Sequence, residues 1–310
     1  MRPFRFGVNL RSAGSRAEWA DKARRLEDQG YAMLSVPDHL APMLAPMAAL
    51  GSAAESTTRL RIGTMVLNND FRHPVLMARE AAALDVLSDG RLELGLGAGH
   101  MKSEYDEAGL RFDPGEVRVA RLAEALVVVK RLLEGKPVTF AGDHYHVTDH
   151  TIYPRPVQQP RPPIFVGGNA PRVLRLAARE ADIVGLTGIS FTRGGLEREL
   201  SGFRAAAVDA QVRLVREAAG DRFDTIELNA LIQRVVETDD RRAAAVELAQ
   251  QWPQLSADEI LESPYILAGT VEEMAEQLQA RRERWGISYF TTQQAYGDAF
   301  APVVARLAGC

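Results

Sequence analysis

The stretch Gly90–Gly109, GRLELGLGAGHMKSEYDEAG, sets Gly95, Gly97 and Gly99 at alternating positions ahead of His100 and a run of charge. Such glycines suggest a dinucleotide turn, in which three of them allow a tight bend, access for a pyrophosphate and close helix packing. The count fails. Starting from Gly95 the third glycine falls at position 100, which is His100, and starting from Gly97 it falls at Lys102. No Gly-Lys-Ser/Thr follows, so a Walker-type phosphate loop is not present either. What remains is a strand, Leu92–Leu96, whose C-terminal end is bare of side chains, as where something approaches the backbone closely.

On either side of this strand, short apolar runs alternate with longer segments of helical spacing. Strands are expected at Phe4–Leu10, Met33–Val36, Leu60–Leu67, Leu92–Leu96, Ile164–Val166, Ile183–Leu186, Ile226–Val235 and Tyr289–Gln293. Helices are expected at Arg16–Gln29 behind a Ser15 cap, from Pro74 to Leu87, and from Pro114 to Gly135. Later ones fall at Pro171–Glu180, Gly195–Ala219, Asp240–Gln251, Val271–Trp285 and Phe300–Leu307. Eight β-then-α units without a Gly-, Ser- or Pro-rich linker predict an α/β fold, a single (β/α)8 TIM barrel over residues 1–310. An open doubly wound sheet is the alternative. Two interruptions are expected as insertions at the C-terminal mouth: a hairpin and Pro-rich stretch over 138–163, and a helical insertion over 240–270.

The chain has 310 residues, 46% of them hydrophobic and 25% charged, which suits a soluble globular protein with a large core. A formal charge of -4 gives no long-range attraction for nucleic acid or anionic membrane. With no signal-peptide or membrane-length apolar run, the cytoplasm is the expected location. The single cysteine, Cys310, offers neither an intramolecular disulfide nor a cysteine metal site.

In a barrel of this kind chemistry belongs at the C-terminal strand ends. These carry Asn9, Asp38 and His39, Asn68 and Asn69, Gly97 to His100, Gly167 to Asn169, Thr187 and Gly188, Gln233, and Gln293 with Gln294. The rim is polar, glycine-rich and poor in carboxylates, which suits an extended organic ligand better than a divalent metal. His39 follows a buried strand and has the side chain best suited to move a proton near neutral pH. Gly167 and Gly168 ahead of Pro171 offer backbone amides and a helix N-terminus to an anion, although a tight turn alone also calls for glycine. His144 and His146 in DHYHV are read as the wet face of a hairpin, and no metal site is assigned.

The segments SVPDHL, RLRIGTMVLNNDFRHPVLMAREAAALDVLSDGRLELGLGAG, PRPVQQPRPPIFVGGNAPRVLRLAAREADIVGL and GTVEEMAEQL together resemble the luciferase-like monooxygenase superfamily, most of all its coenzyme F420-dependent branch. The resemblance implies a (β/α)8 barrel, commonly a homodimer, with a flavin or deazaflavin ring at the mouth. It implies Asp38 and His39 beside the reactive face of the ring. Met65 and Val66, where the family often has a non-prolyl cis peptide, would lie behind the ring with Asn68. Ala98, Gly99 and Ser103 would flank the ring and its side chain, Gly167, Gly168 and Asn169 would border the phosphate, and Thr187 is a further expected cofactor-binding residue. His39 and His100 are the expected catalytic pair, and F420 is the expected cofactor. FMN is the alternative, reduced by a separate flavin reductase and used for oxygenation of a small-molecule substrate. A non-catalytic flavin-binding protein is the remaining possibility.

One departure stands out. Sugar-phosphate dehydrogenases of that branch carry a glutamate where this chain has His100, and after strand six only TGIS, with Arg193 further on, is present to meet a substrate phosphate. A sugar phosphate is therefore not the expected substrate. Leu40–Pro46, His100–Phe112 and Phe191–Gly195 are the loops expected to shape the substrate pocket.

Overall fold

The computed structural model describes residues 2–192 and 197–310. Eight strands form the barrel: β1 (Arg5–Asn9), β2 (Met33–Val36), β3 (Arg61–Thr64), β4 (Leu92–Gly97), β5 (Ile164–Gly167), β6 (Ile183–Leu186), β7 (Glu227–Ile232) and β8 (Ile287–Gln293). Each is parallel to its neighbours, and the β1–β8 pairing closes the ring. Around it lie α1 (Arg16–Asp28), α2 (Pro46–Ser56), α3 (Pro74–Leu87), α4 (Gly115–Leu133), α5 (Pro171–Glu180), α6 (Ala205–Ala219), α7 (Val271–Trp285) and α8 (Gly297–Leu307). This is a (β/α)8 TIM barrel. No described helix is long and apolar enough to cross a membrane.

Period-two alternation places the side chains. On β1, Phe6 and Val8 join the apolar layer beneath the helices, while on β2 Leu34 and Val36 do the same. The other face fills the barrel in layers. At the strand starts Arg5, Arg61, Glu93 and Glu227 form one ion cluster, with Arg5 Nη1 2.6 Å from Glu93, Arg61 Nε 2.7 Å from Glu93, and Arg5 Nη2 2.7 Å from Glu227. Above it Met33, Phe165, Ile183 and Tyr289 pack as a separate apolar plug. Glycines make room for this plug. A Cβ at Gly63 would lie 2.3 Å from Met33 Cε, and one at Gly185 would lie 2.2 Å from the Phe165 ring.

Several expected boundaries move. The run Leu60–Leu67 is interrupted by the cis peptide Met65–Val66, after which Leu67–Asn68 pairs with Leu96 and Gly97. Ile226–Val235 is two strands: the chain leaves the barrel at Gln233, and Arg234–Glu237 pairs in parallel with Ile266–Gly269. The insertion over 240–270 is therefore not helical throughout, because the buried run ending at Gly269 joins that small sheet. The helix expected at Gly195–Ala219 begins at Ala205, since Ser190–Thr192 and Glu197–Glu199 form an antiparallel pair. Residues 193–196, including Arg193 and the expected helix start, lie outside the described residues. A helix over Pro46–Ser56 occupies part of what was expected to be connection.

The segment 138–163 does not sit wholly at the C-terminal mouth. It connects α4 to β5, so it must return at the strand starts, where Gln158 Nε2 donates to the Leu92 carbonyl and Arg61 donates to Gln158. Its hairpin, Val138–Ala141 with His146–His150, climbs back along α4, and there Glu124 accepts the backbone amides of Asp143, His144 and Tyr145. The hairpin tip reaches the other end of the barrel, where Asn69 donates to the Tyr145 hydroxyl at 3.2 Å.

Burial opposes charge on Glu93, but Arg5 and then Arg61 outweigh it and hold the carboxyl below its ordinary value of 4.5. A carboxyl depressed on folding contributes stability that is present above pH 4.5 and lost as pH falls through the depressed value. Glu93→Gln is expected to cost about 2 kcal/mol at neutral pH, the low side for a broken buried pair because both guanidinium groups are partly wet. Urea denaturation of both proteins across pH checks this, and the difference should shrink as acid removes the wild-type charge.

Candidate active site

The C-terminal strand ends bring His39, Met65, Asn68, His100 and Phe191 to one mouth. Asp38 and His39 leave β2 in opposite roles. Asp38 is buried, forms an ion pair with Arg72 through both carboxylate oxygens, and accepts the Asn68 backbone amide at 3.0 Å. Its charge is thus spent on pinning the ends of β2 and β3 together. His39 remains partly open, with 22% of its side chain exposed. Its Nδ1 lies 2.9 and 3.2 Å from the two carboxylate oxygens of Glu104, a residue only 5% exposed. Glu104 Oε1 also accepts the Leu40 amide at 3.2 Å.

Glu104 stands on a short helix, Lys102–Glu107, inside a stretch expected to be loop. The next residue anchors that helix from beneath: the Tyr105 hydroxyl lies 3.0 Å from Asn68 Oδ1 and 3.0 Å from Asp70 Oδ2. Sequence reasoning passed over Glu104, which looks like one acid among Glu104, Asp106 and Glu107. Only i, i+1 logic on a helix, with Tyr105 turned inward, distinguishes it from its exposed neighbours.

His100 meets His39 edge to face, with ring centroids 5.3 Å apart, and stacks on Phe191 at 4.6 Å. Although His100 is exposed at the rim, enclosure by the barrel mouth, then His39, then Arg118, disfavour its cation and lower its pKa from the ordinary 6.5. Arg118, from α4, stacks on Phe112 and binds the carbonyls of Ala98 and Gly99. It holds the loop that carries His100.

The glycines of the opening motif turn out to clear space for protein atoms. A Cβ on Gly95 would lie 2.0 Å from the Thr64 carbonyl oxygen, and one on Gly97 would lie 2.5 Å from Val66 Cγ2. Gly99 has φ +73, and a Cβ there would strike the Tyr105 hydroxyl at 2.0 Å. Each of the three positions is therefore held to glycine by protein atoms of this chain. Met65 and Val66 pack against the apolar plug, which places them at the floor of the mouth.

Across the mouth, Gly168 N–H donates to the Gly185 carbonyl at 3.0 Å and is unavailable to an anion. A Cβ on Gly168 would meet Val173 at 2.3 Å, so this glycine lets α5 pack closely. The first-turn amides of α5, beyond Pro171, are the backbone donors that a helix N-terminus leaves at this strand end. The Asn169 side chain is tied to Gln211 at 2.6 Å, and the Thr187 hydroxyl donates to Ile189 at 3.3 Å. Ser103 is exposed on the Lys102–Glu107 helix. A separate hollow of about 540 Å³ lies outside the mouth against Asp70, His73, Asp113, Arg121 and Tyr145. Its acids are neutralised by Arg121, which pairs with both Asp70 and Asp113.

A floor of thioether and aliphatic groups, a histidine pair beside it and a helix N-terminus opposite fit a flat-ringed cofactor with an anionic tail. Among the described residues no cluster of three or more His, Cys, Asp or Glu could hold a metal ion.

Residues 1–254 match the luciferase-like monooxygenase family, and the chain belongs to it. Within it the chain falls on the F420-dependent branch. It is 32% identical over 263 residues to an F420-dependent glucose-6-phosphate dehydrogenase of Nakamurella multipartita, covering 82% of this chain and 74% of that one. The enzyme of the same name from Microbacterium testaceum is 37% identical over 189 residues, and there the match spans 58% of this chain and 55% of the relative. The fold is shared with the coenzyme F420-dependent tetrahydromethanopterin reductase from Methanopyrus kandleri, at a TM-score of 0.78 and 18% identity over 99% of this chain and 98% of that one.

Because its pKa is depressed, His100 is expected to stay neutral through the physiological range. NMR titration of its ring should show no midpoint between pH 6 and 8, and a midpoint at or above the ordinary 6.5 contradicts the account.

Proposed function

We propose that this chain is an F420-dependent oxidoreductase that moves a hydride between the cofactor and a small, uncharged organic substrate. The observation that carries this is the pairing of His39, braced by buried Glu104, with His100 across 5.3 Å at the mouth. F420, when bound, supplies hydride exchange at the deazaflavin C5. Met65, Val66 and the first turn of α5 would hold its ring and phosphate. His39 Nε2, the ring nitrogen not engaged by Glu104, moves the proton that accompanies the hydride. His100 orients the substrate oxygen without placing a positive charge beside it, and Phe191 covers the imidazole from the other side.

The two dehydrogenases named above carry glucose 6-phosphate in their name, but two features of this mouth support a substrate without phosphate. An imidazole whose cation is disfavoured stands at position 100, and among the described residues three nearby cations are engaged: Lys102 pairs with Asp106, Arg118 holds backbone carbonyls, and Arg11 donates to Gln293. FMN, kept reduced by a partner reductase and used for oxygenation, is the second reading, favoured by the same floor of the mouth.

Titration of the purified protein with F420 and with FMN, followed by a screen of F420 reduction against small alcohols and glucose 6-phosphate, separates these readings. F420 binding with turnover of an uncharged alcohol is expected. Binding of FMN alone overturns it. His39→Ala should keep F420 affinity and lower turnover by about 100-fold.

A cytoplasmic homodimer completes the proposal. Leu76 and Leu87 of α3 are 54% and 72% exposed, and eleven residues apart they share one helix face. Sedimentation should give twice the chain mass, and Leu76→Glu with Leu87→Glu should give the monomer.

A further inference from the structure

We infer that Glu104 is a positioning residue that fixes the tautomer of His39, so that Nε2 faces the mouth as a lone-pair acceptor. The inference rests on the proposed F420 site for its purpose, and on geometry alone for its content.

A carboxylate in this setting only accepts hydrogen bonds. Glu104 Oε1 already accepts the Leu40 amide, and both carboxylate oxygens lie within 3.2 Å of His39 Nδ1. The proton of a neutral His39 must then sit on Nδ1, which leaves Nε2 bare. Both ends of this contact are held independently. Asp38, the preceding residue, is fixed by Arg72 and the Asn68 amide, while Tyr105, the following residue on the helix, is fixed by Asn68 and Asp70. The two supports meet at Asn68, whose amide and side chain serve one each. Neither His39 nor Glu104 can turn away without breaking a buried polar contact.

A simple staple between the β2 end and the Lys102–Glu107 helix would be served equally by an amide at position 104, which can accept from Nδ1–H or donate to a bare Nδ1. That difference is measurable without turnover. The apoprotein is labelled with ¹⁵N-histidine, and the ring nitrogens of its six histidines are recorded, with His39 assigned by its loss in His39→Asn. Wild-type His39 should show a protonated Nδ1 and a bare Nε2 in its neutral form. Glu104→Gln offers a donor as well as an acceptor, so the Nε2–H tautomer should rise to a substantial fraction. Carbethoxylation of His39 at Nε2 by diethyl pyrocarbonate should slow at least severalfold in parallel. Glu104→Asp, which keeps the acceptor-only group, should restore the wild-type tautomer.

An Nε2–H tautomer in the wild type overturns the inference, as does a Glu104→Gln spectrum unchanged from it. F420 affinity measured on the same samples should agree within about twofold between wild type and Glu104→Gln. If the wild type binds no F420, the proposed function fails, while the ring-nitrogen spectra still decide the role of Glu104.

Discussion

The barrel depends on how closely β3 and β4 approach at Thr64 and Gly95. The Thr64 side-chain oxygen accepts the Gly95 amide and donates to the Gly95 carbonyl, both at 2.8 Å, so a side chain replaces the ladder where the backbones converge. A Cβ at position 95 has nowhere to go, being 2.0 Å from the Thr64 carbonyl oxygen. Beyond that seam the chain passes through Met65 and Val66 and resumes pairing at Leu67 and Asn68. Asn68 then supports both the Asp38 loop and the Tyr105 helix, so the seam sets where the two imidazoles can stand.

The two ends of the barrel are electrostatically unlike. At the strand starts two arginines and two glutamates neutralise one another, and Arg5 also stacks on the Tyr289 ring at 4.1 Å. At the strand ends Asp38 and Arg72 cancel, Glu104 faces His39, and His100 is held uncharged. Among the described residues the mouth carries little free charge, so an uncharged reactant loses little on desolvation there.

Most of the architecture was legible because short apolar runs mark the barrel strands and alternate with longer segments of helical spacing. Met33–Val36, Ile183–Leu186, Pro74–Leu87 and Val271–Trp285 fall at the expected bounds. Elements lacking such a pattern were not. Pro46–Ser56 is mostly alanine, glycine and serine, so its buried stripe, Pro46, Ala49, Leu50, Ala53 and Ala54, is built of small residues around one leucine and stands out little in the sequence. The run Ile226–Val235 has apolar residues on both sides of Gln233 and Arg234, and that polar pair alone does not mark the exit from the barrel. At the site, His39 and His100 were singled out from the sequence and meet in space, whereas Glu104 lies 65 residues from its partner and reveals itself only once the short helix is seen.

The glycine run shows how a motif can be right about place and wrong about cause. GLGAG does lie at the functional end of a strand, but its first two glycines accommodate Thr64 and Val66 and its third accommodates Tyr105. Side-chain loss there serves the frame that carries the imidazoles. It follows that replacing one of these glycines would disturb the site through displaced protein atoms, even if nothing flat ever lay above them. The residue whose chemistry bears directly on substrate is the one that ends the run, His100, because its charge state decides which groups can sit beside it.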